Sequence, residues 1–251
     1  MNLVELWANN EDLMYLICNP KGQNPRDAVI TYAAPLSERV LKAIKEGKFD
    51  NFEEFTKEQF ITELQEAQED LEIRQARRTA LNFLNVNSIE KNTLEFRGSN
   101  GTINANEWIE NAVLYIGIVA FSQKLSDIQS KPEQDLTEDE LQLINKFDLL
   151  TSKESSPEDR LDMLLELCIP EKMRNIYKER YIVNKKILEE HPQLKEELEK
   201  HIPKDRIKFI KKASVRNIAS QQGVPDEKEN ITEIIDEAER RDKSRETERM
   251  I

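Results

Sequence analysis

Two histidines, two cysteines and a surplus of paired carboxylates are the side chains of this sequence that could do chemistry. A metal centre would need thiolates or imidazoles at ligand spacing. His191 and His201 stand ten residues apart across Pro192, and neither has a cysteine or a second histidine close by in sequence. A cysteine nucleophile would need a histidine partner, and a serine nucleophile of the hydrolase type a Gly-x-Ser-x-Gly turn. Cys18 (MYLIC) and Cys168 (LLELC) have no histidine nearby, and no such turn occurs. Each cysteine falls in a predicted helix and reads as a buried reduced thiol, as in a reducing compartment. Whether the two could pair is a matter of geometry. The acidic pairs Asp139/Glu140, Glu158/Asp159 and Glu196/Glu197 fall on helix starts or exposed faces, where solvation accounts for them. Six glycines supply no phosphate-cradling loop. No catalytic, cofactor-binding or metal-ligating residue is therefore expected, and no cofactor.

The elements that would carry any site are helical. Charged residues make up 34% and apolar ones 38%, the balance of helices that bury one stripe and solvate the rest. Helices are expected at 3–18, 35–46 (with Gly47 as its stop), 56–84, about 106–125, 137–150, 156–168, 170–190, 192–201 and 203–221, with a last one after Asn230. Thr56–Gln59 and Thr137–Glu140 have the spacing of capping boxes, and Ser156-Pro157 that of a capped first turn. Helix 106–125, with Trp108, Ala112, Tyr115, Ile116, Val119 and Ala120, is expected at the centre of the core. Its apolar run, Ala112–Phe121, rises only about 15 Å as a helix, half a bilayer core. It predicts a buried helix and no membrane span. Thr93–Asn104 is the one clear β signal, read as a short hairpin with Arg97, Gly98, Ser99, Asn100 and Gly101 at its tip. The fold class is thus mostly α, a multi-helix bundle-like body with one hairpin at about 93–104 and a charged C-terminal helix or tail. The expected divisions are a body over 1–150, a section with a basic face over 151–225, and a tail over 226–251.

Charge is divided unevenly. Residues 1–169 hold 17 Lys/Arg against 31 Asp/Glu, residues 170–216 hold 14 against 8, and residues 217–251 hold 6 against 10. A basic block between two acidic ones suggests docking on a surface of opposite sign. The expected partner-binding face is Lys204, Arg206, Lys208, Lys211, Lys212 and Arg216, with Ile207 and Ile210 on the other side of the helix. Arg240, Arg241, Arg245 and Arg249 of the tail are expected to reach a partner too.

Ser214–Pro225 (SVRNIASQQGVP) is similar to the first half of a bacterial helix-turn-helix, Ala219 preceding the turn glycine Gly223 by four. The resemblance implies nucleic-acid regulation through 203–225. It departs from the motif at Glu229, where a buried aliphatic residue belongs, and Asp226 and Glu227 would face phosphates. In outline, a helical body with a hairpin and a C-terminal extension resembles the ring-forming connectors of phage necks. The leading expectation is a non-enzymatic assembly or adaptor protein acting through protein contacts. Its partners would be other copies of itself, and it would be cytoplasmic or assembled in a virus particle made there. MNLVELWANNEDL has no basic start and predicts no signal peptide.

Overall fold

The computed structural model describes residues 1–22, 33–69, 79–152 and 154–209. Two compact units divide the chain, Met1–Phe209 and Ile210–Ile251, and the second lies outside the described residues. The described part is mostly helical, with nine α-helices and one small antiparallel sheet.

The centre of the core is the N-terminal pair α1 (Asn2–Ala8) and α2 (Glu11–Ile17). Nearly every residue from Asn2 to Pro20 is buried. The expected single helix over 3–18 breaks at Asn9-Asn10, where the Asn10 amide turns back to donate to the Leu6 carbonyl at 2.9 Å. A buried pair of short helices must satisfy its polar groups internally. The asparagines and glutamates of this stretch do that work, and longer helices wrap around it.

Those outer helices are α3 (Leu36–Lys45), α4 (Lys57–Glu69), α5 (Ala105–Gln129), α6 (Glu138–Thr151), α7 (Pro157–Cys168), α8 (Glu171–Glu190) and α9 (Pro192–His201). Their starts follow the local rules. Thr137 and Glu140 form a complete capping box, Ser156 caps Asp159 ahead of Pro157, and the Thr56 and Gln59 side chains bond each other's backbone N–H. Gly47 ends α3 at φ +77°, a conformation that favours glycine. α1 packs on α5, α2 on α8, and α7 on α5, α6 and α8.

The sheet pairs β1 (Leu81–Asn82) with β2 (Glu95–Phe96), Leu81 opposite Phe96 and Asn82 opposite Glu95. The expected hairpin over 93–104 therefore supplies one strand, and its partner lies upstream instead of downstream. The expected helix 56–84 ends before Thr79–Asn82, which pairs as extended chain. The cause is aromatic. Phe96 stacks on Tyr115 of α5 at 4.4 Å and 12° and leans on Trp7 of α1 at 5.4 Å. That drags the strand inward, where its other edge meets Leu81.

Candidate interaction surface

The cations of the basic block largely meet acids and carbonyls of their own subunit. Arg180 of α8 is buried and binds the Glu110 carboxylate, the Asn111 side-chain oxygen at 2.8 Å and the Ile17 carbonyl at 3.0 Å. Lys178 lies 2.6 Å from Asp162 and Lys185 2.7 Å from Glu158. Arg174 donates to the Ile169 and Glu166 carbonyls. Lys185, then the Tyr181 hydroxyl, draw the Glu158 carboxyl below the usual carboxylate range to about 2. From the acidic side, Arg160 of α7 is equally buried. It binds Asp12, the Asn10 side chain and the Asn9 carbonyl. Exposed pairs of this kind contribute little stability, but the two buried arginines fix the register of α7 and α8 on the N-terminal pair.

Beyond α9 residues 202–209 form a strap, bent at 202, 204 and 205 and non-helical over 206–209, instead of the helix expected from Pro203. Ile207 and Phe209 are both buried with Lys208 exposed between them. That is a two-residue period, which a helix cannot offer. The Asn9 side chain holds the strap like a rung of a sheet. Its amide donates to the Ile207 carbonyl, and its oxygen accepts from the Ile207 N–H, each at 2.7 Å. Phe209 then enters an edge-on cluster with Phe49, Phe52 and Phe60 at 5.3–5.6 Å. Lys204 is exposed, Arg206 is half-buried and donates to the Asn9 carbonyl, and Lys208 lies 3.8 Å from Asp148. So these three residues do not share a helical face. Lys211, Lys212 and Arg216, the helix-turn-helix-like segment after 209, and the tail residues Arg240, Arg241, Arg245 and Arg249 lie outside the described residues.

Asn9→Ala removes both rungs. It is expected to cost about 2 kcal/mol. Trypsin should then cut at Lys204–Lys208 several-fold faster under native conditions. An unchanged cleavage rate would show that the phenylalanine cluster alone holds the strap.

The expected hairpin tip is also docked and does not project. Gly98 is buried, with Cys18 Sγ 3.2 Å from where a Cβ would stand and Trp7 just behind it. The Asn100 N–H donates to the Asn19 side chain at 2.9 Å, Ser99 bonds Tyr115, and Arg97 pairs with Glu95 at 2.7 Å. Gly101 alone of the five is exposed.

Burial pushes Cys18 and Cys168 each up to about 12, so neither is a thiolate near neutral pH. His201 faces Glu38 at 3.3 Å. Among the described residues no group of three or more His, Cys, Asp or Glu could hold a metal ion. Among them, too, no helix is long and apolar enough to cross a membrane.

What stands out instead is the solvent side of α5. Its inner face, Asn111, Leu114, Ile118, Phe121, Ser122, Leu125 and Ile128, is buried against the body. The opposite meridian carries Ala105, Trp108, Ile109, Ala112, Ile116, Val119 and Ala120. Trp108 is 66% exposed, Ile109 51% and Ile116 68%, while Ile103 just ahead of the helix is fully exposed. At 100° per residue, no charged side chain falls on this face before Asp127. A helix apolar all round is normally buried on all sides. Here two sides of the cylinder are apolar and the subunit covers one. The expected central helix of the core thus lies at its surface, with the aromatic and aliphatic residues that suggested a core, Trp108 and Ile116, turned outward.

Compared with protein-family models, curated proteins and solved structures, the chain matches none.

Proposed function

We propose that this chain is a non-enzymatic assembly or adaptor protein that docks on other protein through the outer face of α5. The observation that carries this reading is that face. It is a continuous uncharged stripe from Ala105 to Ala120 with an exposed tryptophan and two exposed isoleucines. Contiguous apolar surface of this kind marks contact sites, and tryptophan is the residue most enriched where binding energy concentrates. The fate of the basic residues supports the same choice. With Lys178, Arg180 and Lys185 engaged by their own subunit, charge on α8 contributes register and the apolar face contributes contact.

Sedimentation of the intact chain tests this reading. A particle heavier than 29.4 kDa that persists at about 1 M salt is expected, because apolar contacts survive screening. Ile116→Glu should reduce it to 29.4 kDa while leaving the circular dichroism spectrum unchanged. A mass indifferent to Ile116→Glu but lost with salt or nuclease would instead favour a nucleic-acid-associated regulator using 203–225.

A further inference from the structure

The segment Gly98-Ser99-Asn100-Gly101 has no part in the docking face, yet it holds the sequence's one Asn-Gly pair. An asparagine side-chain amide is open to attack by the backbone nitrogen of the following residue, which closes a cyclic imide. Glycine permits that attack best, because it has no Cβ to crowd the nitrogen and few limits on its backbone angles. In a folded chain a second condition applies. The attacking N–H must be free of a hydrogen bond, since a bonded N–H is held in place and keeps its proton.

Both conditions meet at Gly101. It is exposed, and residues 101–104 lie outside any helix or strand. Its N–H has no hydrogen-bond partner among the described residues. The chain is anchored on either side of it. The Asn100 N–H donates to the Asn19 side chain at 2.9 Å, and Asn104 caps α5 by accepting from the Asn106 N–H at 3.0 Å. Asn87 makes the contrast. It is more exposed than Asn100 and precedes the small Ser88, but the Ser88 N–H is engaged and donates to the Asn85 carbonyl at 3.2 Å.

We propose that Asn100 is a site of spontaneous deamidation, with water as the only co-reactant. The Gly101 nitrogen gives its proton to solvent base and attacks the Asn100 Cγ. The new N–C bond forms, the bond from Cγ to the amide nitrogen breaks, and that nitrogen takes a proton from water and leaves as ammonia. Water then opens the imide. Opening at Cγ gives aspartate, and opening at the main-chain carbonyl gives isoaspartate, in which the chain runs through Cβ and Cγ. Nothing is oxidised or reduced. Either product adds a negative charge where a neutral amide stood. Isoaspartate also lengthens the path from the Asn19 anchor to α5 by one carbon. The reaction asks nothing of the docking face of α5 and stands or falls apart from it.

Peptide mapping of the full-length chain after incubation in mildly alkaline buffer tests the assignment. Trypsin releases residues 98–124 as one peptide, in which fragmentation locates the change. Asn100 should convert to a mixture of aspartate and isoaspartate, faster as hydroxide rises, while Asn87 stays an amide. Gly101→Ala should slow the conversion about tenfold, through the added Cβ, with an unchanged circular dichroism spectrum. Ser88→Gly gives Asn87 the same neighbour but leaves the N–H bonded, so in the folded chain Asn87 should still react about tenfold more slowly than Asn100. In urea the two should react alike. An Asn100 that survives in the folded chain and converts only in urea would show that docking of the tip holds the amide away from the nitrogen. Equal rates at Asn87 and Asn100 in folded Ser88→Gly would show that the free N–H selects nothing. Either result overturns the proposal, as does a rate at Asn100 unmoved by Gly101→Ala.

Discussion

Replacing Glu11 with alanine is expected to destabilise the helical body by about 3–5 kcal/mol, a large part of what a typical domain possesses. Glu11 is fully buried at the start of α2. Its carboxylate accepts from the Trp7 indole N–H at 3.0 Å, the Leu36 N–H at 2.7 Å, the Ser37 N–H at 3.0 Å and the Ser37 hydroxyl. Two of those donors are the first N–H groups of α3. Pro35 precedes them and offers no side-chain cap, so α2 supplies the cap that α3 lacks. Alanine would strand all four donors in a dry site.

The pH dependence has a definite sign. Burial pushes the Glu11 carboxyl up to about 7, against the lowering effect of its hydrogen bonds. The folded state therefore holds a proton that the unfolded chain has released between about pH 4.5 and 7, and stability falls as pH rises through that window. Above 7 both states are ionised and this contribution is flat. Glu11→Gln keeps a neutral acceptor and should lack the decline. The gap between wild type and Glu11→Gln in urea denaturation should change by about 3 kcal/mol in favour of the variant from pH 4.5 to 7. A gap that stays constant, or that widens the other way, would mean that Glu11 is ionised throughout.

Gly117→Ala should destabilise as well, although alanine is the better helix former by about 1 kcal/mol. A Cβ on Gly117 would overlap the backbone carbonyl oxygen of Cys168 and stand 3.0 Å from its carbon. Both are main chain at the packing of α5 on α7, so no side chain can swing aside. The helices must part, at a net cost of about 2 kcal/mol and a drop of about 5 °C in melting temperature. A rise in melting temperature, as for an exposed helical glycine, would contradict the close approach. The site faces α7 and not the outer apolar face of α5, so residual folded protein should still associate.

The helix starts were legible because capping is local. Thr137, Ser156 and Thr56 announce themselves within four residues, and each caps as expected. The mostly helical class with one short antiparallel pairing was legible in the same way. What sequence spacing could not show was how α1 and α2 sit inside the other helices. Asn2, Glu5, Asn9, Asn10, Glu11 and Asn19 look like surface residues, yet all are buried. Their partners, such as Ile207, Arg160 and Ser37, are distant in sequence. The strap failed as a helix for a related reason, since its non-helical path is imposed by Asn9, some two hundred residues earlier. For α5 the signal was present but open to two meanings. Apolarity on two opposite sides says that both are covered, and it does not say whether one subunit does the covering. The alternating four- and three-residue spacing of uncharged residues from Ala105 to Gln123 could have separated the outer face from the inner one.

Trp108 itself offers the most direct measurement. The chain has two tryptophans, and Trp7 is buried while Trp108 is 66% exposed in the single subunit. Acrylamide quenching across a dilution series therefore reads the covering of α5 at the residue concerned. The account predicts that both indoles are shielded at high protein concentration. One should become freely quenchable on dilution into the nanomolar range, and Ile116→Glu should be quenchable throughout. A tryptophan equally open to acrylamide at every concentration would mean that nothing docks on this face.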